Sequence, residues 1–189
     1  MKILLLGDSL FAGWEGQNEP HINYSLKQIE ADLDIWNLAE SGDNSFDLLE
    51  KLEVCEVWDA DFVFVWIGAN DLAIHKQVYL GEFQENLQKV VGRLLVSYLA
   101  KQVIFLGPAP IDESKQLYRT NRLVTYYSDI VRKVAEQSGC SFISMQEVFG
   151  QAGPLLEDIL RGSQDDGLHF GSLGYEVLAQ TLMDHIQRS

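Results

Sequence analysis

Short apolar runs recur along the chain, and each is followed by a turn-forming or polar residue. The clearest runs are Ile3–Leu6, Asp61–Ile67 and Val103–Leu106, and weaker ones are Asp34–Leu38 and Cys140–Ile143. An unbroken apolar run of about four to eight residues is typical of a strand buried on both faces. Such strands belong to parallel sheets that are covered by helices.

Between these runs, apolar residues recur every three or four positions, which is the pattern of an amphipathic helix. The three clearest helical patterns run over Leu80–Tyr98, Leu123–Val134 and Val177–Ile186, the last with Ser172 as a candidate N-cap. Strands that alternate with helices predict a three-layer α/β/α domain around a parallel sheet. No repeat or linker divides the chain, so residues 1–189 are predicted to form a single domain.

Composition excludes several classes of partner. Among 189 residues, 28 are acidic and 14 basic, giving a formal net charge of −14. Nucleic-acid binding relies on Lys and Arg that displace counterions from phosphates, and no basic run is present. Anionic membrane surfaces are disfavoured for the same reason. The two cysteines, Cys55 and Cys140, are too few for a disulfide framework and are expected to be idle thiols.

The chain also has no segment typical of export or of membrane insertion. The first apolar run has four residues, fewer than the ~7–15 of a signal-peptide core. No segment approaches the ~20 apolar residues of a membrane span. The sequence therefore predicts a cytoplasmic protein, and nothing in it indicates an oligomeric state.

Polar and glycine-rich segments follow four of the predicted strands. They are residues 7–10, 39–43, 68–71 and 107–110. In an open parallel sheet, ligands bind beyond the carboxyl ends of the strands. We therefore expect these segments to meet at one edge of the sheet and to form the site.

The types of residue at these positions suit nucleophilic catalysis. Ser9 follows the first strand, and Asp166 and His169 stand three residues apart near the C-terminus. Serine needs a base within hydrogen-bond reach and a third group that orients the base. The backbone amides of Ser9 and Gly42 and the side-chain amide of Asn70 are suitable donors to an oxyanion.

The chain resembles the SGNH hydrolases, or GDSL-type esterases and lipases. Four blocks carry the resemblance, in the family's order: Gly7-Asp8-Ser9-Leu10, Gly42, Gly68-Ala69-Asn70-Asp71 and Asp166-Gly167-Leu168-His169. The resemblance implies a flavodoxin-like, doubly wound sheet of about five parallel strands. It also implies ester hydrolysis through an acyl-serine, with no metal or cofactor. One departure is Ala39-Glu40, where many members have small or apolar residues.

By the same resemblance, Ser9 would be the nucleophile, His169 the base and then the acid, and Asp166 the orienting carboxylate. The Ser9 and Gly42 amides and the Asn70 side chain would form the oxyanion hole. The expected substrate is a small-molecule ester with a short acyl chain. Alternatives are a carbohydrate O-deacetylase or an acyltransferase with the same residues. A remote alternative is a flavodoxin-like binding module, although the chain has no glycine-rich phosphate fingerprint.

Several residues have competing interpretations. Ser9 could instead cap a helix, Asn70 and Gly42 could be turn residues, and Asp165 could replace Asp166. The other histidines, His21, His75 and His185, match no block and are expected to be structural or exposed. The acidic cluster Glu157, Asp158, Asp165 and Asp166 has no Ca²⁺-loop spacing and is predicted to be a solvated loop.

Two further groups concern the substrate cleft. Six apolar residues near the predicted site could line an acyl pocket or belong to the core: Phe11, Trp14, Leu72, Ile74, Ile111 and Phe170. Three acidic residues, Glu40, Asp43 and Asp71, are expected near the cleft mouth, where they would disfavour anionic esters. A chain of this length predicts an open cleft without a lid.

Overall fold

The computed structural model describes residues 1–54 and 58–188, and the predicted parallel sheet is its centre. The strands are β1 (Lys2–Gly7), β2 (Asp34–Asn37), β3 (Phe62–Trp66), β4 (Val103–Leu106) and β5 (Ser141–Ile143). They are hydrogen-bonded in the order β2-β1-β3-β4-β5, and every neighbouring pair is parallel. This is the flavodoxin-like order, so the fold class predicted from the sequence is confirmed.

The central strands are apolar because both of their faces are covered. Leu5 in β1, Val63 and Phe64 in β3, and Ile104 in β4 are all fully buried. In the register, Leu5 pairs with Phe64, and Phe64 pairs with Ile104. The core therefore extends continuously through the sheet into both helical layers.

Eight α-helices connect the strands within the described residues. They are α1 (Ser9–Ala12), α2 (His21–Ile29), α3 (Ser45–Val54), α4 (Leu80–Leu94), α5 (Asn121–Ser138), α6 (Met145–Gln151), α7 (Leu156–Ile159) and α8 (Ser172–Arg188). A short 3₁₀ turn, Ala100–Gln102, precedes β4. Helix α8 contacts α2, α6 and α7, whereas α4 contacts α3 and α5. These two groups form the outer layers of the three-layer fold.

The helix patterns predicted from the sequence are found, with two differences at their ends. Helix α4 ends at Leu94 because the chain turns there toward β4, and Tyr98 lies beyond the helix. The Tyr98 hydroxyl donates to the Trp58 carbonyl at 2.5 Å. This contact explains why the apolar pattern continues to Tyr98, beyond the end of the helix. Ser172 is the first residue of α8 and not its cap.

Glycine is required where β3 leaves the sheet. Gly68 has a φ of +126°, and a Cβ at this position would lie 2.8 Å from the Pro108 Cγ atom. Only glycine adopts such a backbone readily. The tight turn carries Asn70 and Asp71 directly from the end of β3 to the edge of the sheet. Among the described residues, no helix is long and apolar enough to cross a membrane.

Candidate active site

Ser9, His169 and Asp166 form a hydrogen-bonded chain at the carboxyl edge of the sheet. The Ser9 Oγ atom lies 2.9 Å from His169 Nε2, although the two residues are 160 positions apart. The His169 Nδ1 atom lies 2.8 Å from Asp166 Oδ2. The distances are those of hydrogen bonds between a hydroxyl, an imidazole and a carboxylate. The arrangement can therefore move a proton away from the serine hydroxyl.

Ser9 is the first residue of α1, but it does not cap that helix. The cap is Asp8, whose Oδ1 accepts from the Leu10 amide at 3.0 Å. Because Asp8 caps the N-terminus of this helix, the Ser9 hydroxyl is available to His169. The capping interpretation of Ser9 is thus wrong.

The Asp166 carboxylate is held in position by its own loop. Its Oδ1 atom accepts from the amides of Leu168 at 3.0 Å and His169 at 2.9 Å. Partial burial raises its pKa, but the hydrogen bonds from both amides and from the imidazole outweigh burial, and the net pKa is lowered. An ionised carboxylate can only accept, which suits a group that orients an imidazole N–H.

Asp165 lies next to this carboxylate but serves another purpose. Its Oδ1 atom accepts from Lys115 Nζ at 2.5 Å, and its side chain is largely exposed. Asp166, and not Asp165, therefore contacts His169.

Asn70 lies beside the turn that contains Gly42. Its Nδ2 atom donates to the Asp43 carbonyl at 2.8 Å, and its side chain is almost fully buried. Gly42 has a φ of +96°, and a Cβ there would meet no atom within 4 Å. The turn therefore needs glycine for its backbone conformation and leaves open space beside it.

A loop that sequence reasoning missed connects Asn70 to the His169 loop. Arg119, between β4 and α5, donates from Nε to the Ala69 carbonyl at 2.7 Å and from Nη2 to Asn70 Oδ1 at 3.3 Å. Gln116 donates from Nε2 to the Asp166 carbonyl at 2.5 Å. The available signal was a basic residue, in an acidic chain, on a segment that follows a strand at the edge where the site forms.

Two carboxylates are buried beneath the site. Asp8 is 1% exposed and Asp71 is fully buried, with its Oδ1 accepting from the Ser45 amide at 2.9 Å. Burial raises the pKa of Asp8 to about 7 and that of Asp71 to about 6. The expectation that Asp71 lies at the cleft mouth is wrong, because its side chain holds the start of α3 inside the protein.

The other two acidic residues expected at the cleft mouth share a lysine. Lys51 Nζ lies 2.7 Å from Asp43 Oδ2 and 3.4 Å from Glu40 Oε2. Glu40 is exposed, whereas the Asp43 side chain is only 12% exposed. Lys51 therefore offsets much of the negative charge that the sequence places here.

The six apolar candidates for a pocket wall divide into two groups. Phe11, Leu72, Ile111 and Phe170 are buried in the core, while Trp14 and Ile74 are more than half exposed. The four core residues support the site from below, and almost none of their surface is open to a substrate.

The remaining candidates lie apart from the triad. His21 is buried and stacks on Tyr175 with ring centroids 4.7 Å apart, and His75 packs against Tyr118. His185 lies in the last turns of α8. Within residues 1–54 and 58–188, no group of three or more His, Cys, Asp or Glu could hold a metal. Cys140 is a buried free thiol, and Cys55 lies outside the described residues.

Comparison with known proteins agrees with this geometry. The chain belongs to the GDSL-like lipase/acylhydrolase family, whose model matches residues 5–177. The resemblance seen in the four sequence blocks is thereby confirmed.

Several of the relatives are ester hydrolases by name. The isoamyl acetate-hydrolysing esterase of Saccharomyces cerevisiae is 30% identical over 136 residues, covering 65% of this chain but only 55% of the yeast protein. The acetylxylan esterase of Geobacillus stearothermophilus is 25% identical and covers 98% of this chain and 93% of its own. A lipase/acylhydrolase from Enterococcus faecalis superimposes with a TM-score of 0.85 at 24% identity, covering 99% of this chain and 95% of its own. That last similarity concerns the fold.

The buried Asp8 predicts a pH dependence of stability. An acid whose pKa rises from 3.8 to about 7 on folding stabilises the fold when protonated, so stability is lost as the pH rises between those values. Asp8→Asn keeps an oxygen acceptor for the Leu10 amide and removes the titration. We expect the free energy of unfolding of the variant, relative to that of the wild type, to increase as the pH rises from about 4 to about 7.

Urea unfolding at several pH values measures this difference. Asp32→Asn, on an exposed turn, is the matched control, and its curve should run parallel to that of the wild type. If the free energy of unfolding of Asp8→Asn also followed that of the wild type across this pH range, Asp8 would not have the raised pKa assigned to it.

Proposed function

We propose that this protein is a serine ester hydrolase that cleaves short-chain acyl esters through an acyl-serine intermediate, with residues 1–189 acting as one hydrolase domain. The observation that carries the proposal is the continuous hydrogen-bonded chain from Ser9 Oγ through His169 to Asp166. Family membership and the esterase relatives support the same class of reaction.

In the first half of the reaction, Ser9 Oγ attacks the ester carbonyl carbon while His169 Nε2 takes the hydroxyl proton. The pKa of Asp166 is lowered, so its carboxylate stabilises the imidazolium and fixes its orientation. The carbonyl oxygen becomes an oxyanion. Its donors are the backbone amides of Ser9 and Gly42 and the side-chain amide of Asn70, a set in which the loss of one donor costs ~10²–10³-fold in turnover.

The first half ends when the tetrahedral intermediate collapses and the bond to the alcohol oxygen breaks. His169 gives its proton to that oxygen, so the alcohol leaves neutral and the acyl group stays on Ser9. In the second half, His169 takes a proton from water, and the water oxygen attacks the acyl carbon. When the second intermediate collapses, Ser9 recovers its proton and a carboxylic acid is released.

Small acyl groups suit this site best. The residue that follows Leu10, Phe11, is buried in the core, and its carbonyl accepts from Asn37 Nδ2 at 2.8 Å. Phe170, directly after His169, is buried as well. No cavity for a long chain can open behind these residues without loss of core packing. The yeast and Geobacillus relatives are both named for acetyl esters.

A second candidate is the removal of acetyl groups from a carbohydrate. The specific observation in its favour is the acetylxylan esterase, which matches almost the whole of both chains. The chemistry at Ser9 would be the same, and only the leaving alcohol would differ.

Labelling with a fluorophosphonate tests the nucleophile. We expect a single covalent adduct, located at Ser9 by mass spectrometry of the modified peptide. Ser9→Ala should abolish labelling and lower kcat on p-nitrophenyl acetate by ~10⁴–10⁶-fold, since members of a triad act as a unit. Ser97→Ala, at an exposed turn, is the control and should label normally. Labelling at another residue, or full activity of Ser9→Ala, would overturn the proposal.

A substrate series tests the preference for small acyl groups. Across p-nitrophenyl acetate, butyrate, octanoate and palmitate, kcat/KM should be highest for acetate or butyrate and fall steeply from octanoate onward. Acetylated xylo-oligosaccharides, assayed for acetate release and for transfer to added alcohols, separate deacetylation from acyl transfer. A maximum at octanoate or palmitate would contradict the proposed substrate class.

A further inference from the structure

We propose that Arg119 is a positioning residue that fixes the orientation of the Asn70 side-chain amide in the oxyanion hole. This inference rests on the proposed function, because it assigns Arg119 a role through Asn70 in the same reaction.

The Arg119 guanidinium donates three hydrogen bonds within the site. Its Nε donates to the Ala69 carbonyl at 2.7 Å, its Nη2 to Asn70 Oδ1 at 3.3 Å and its Nη1 to Gln116 Oε1 at 3.1 Å. A planar guanidinium presents its donors in a rigid fork. The backbone before Asn70 and the side chain of Asn70 are therefore held by one group.

These contacts permit only one orientation of the Asn70 amide. Its oxygen faces the Arg119 donor, while its nitrogen donates to the Asp43 carbonyl at 2.8 Å. Rotating the amide by a half-turn would place an NH₂ group against the guanidinium and an oxygen against the Asp43 carbonyl. Both contacts would then be repulsive. Arg119 thus keeps the amide nitrogen beside the Gly42 turn, and the Asp43 carbonyl uses one of its two hydrogens.

Charge adds to this geometric effect. The guanidinium is half-buried, and burial lowers its pKa while the nearby Asp8 and Asp166 carboxylates act in the opposite direction. Arginine remains protonated in proteins. A cation on Oδ1 withdraws electron density from the amide, which makes its N–H a stronger donor.

The same side chain also reaches the triad through one neighbour. Gln116, which accepts from Arg119, donates to the Asp166 carbonyl at 2.5 Å. One short segment therefore connects the donor that would bind the oxyanion with the carboxylate that orients His169. Lysine could not replace this fork, because the donors of an ammonium share one nitrogen, whereas Arg119 donates from three nitrogens held in one rigid plane.

A double-mutant cycle with p-nitrophenyl acetate tests the inference. We expect Arg119→Met to lower kcat by about 10- to 100-fold, less than or comparable with the loss of an oxyanion donor, with KM within about threefold of wild type. Arg119→Lys should recover little of the loss. In an Asn70→Ala background, Arg119→Met should lower kcat by less than about threefold further, since residues that act through one another are not additive.

Arg122→Met is the matched control, because Arg122 lies three positions away, is exposed, and contacts Tyr126. It should leave kcat unchanged. Unfolding temperatures show which variants are folded, and if Arg119→Met is not, the same cycle is run with Arg119→Lys. An unchanged kcat in the Arg119 variant, or an equal loss with and without Asn70, would overturn the inference. If Asn70→Ala itself keeps full kcat, the proposed oxyanion hole fails and this inference with it.

Discussion

The hydrogen bond between Ser9 and His169 is the interaction on which the site depends. It joins residues 160 positions apart, so it exists only because the first strand and the last loop reach the same edge of one parallel sheet. Because every neighbouring pair of strands is parallel, the carboxyl ends of all five strands lie at that edge. The buried apolar strands therefore determine where the polar residues meet.

The loops at this edge are fixed by polar contacts because short strands alone cannot set side-chain positions to a fraction of an ångström. Glu15 accepts from the Ser163 amide at 2.6 Å and from its hydroxyl at 2.8 Å, which ties the segment after the nucleophile to the segment before His169. The amide of Asp112 donates to the Gly167 carbonyl at 2.9 Å. The His169 loop is thus held from both sides.

Much of this architecture can be predicted from the sequence, and the exceptions have physical causes. Strands such as β1 and β3 are evident because burial on both faces demands unbroken apolar runs, and Ser9 and His169 stand in motifs whose chemistry constrains their neighbours. The sequence alone places Asp71 at the cleft mouth because carboxylates are normally solvated. Only the fold shows that Asp71 accepts a hydrogen bond from the buried Ser45 amide. Arg119 was missed because its acceptors come from separate segments, which no local pattern reveals.

The tautomer of His169 tests the central claim most directly. Because the Asp166 carboxylate can only accept, the neutral imidazole must carry its proton on Nδ1 and leave Nε2 free to accept from Ser9. Nitrogen NMR of protein labelled at histidine, assigned with a His169→Gln variant and recorded at alkaline pH, should show that tautomer, and Asp166→Asn should shift the population toward the other. A wild-type His169 protonated on Nε2 would contradict the account.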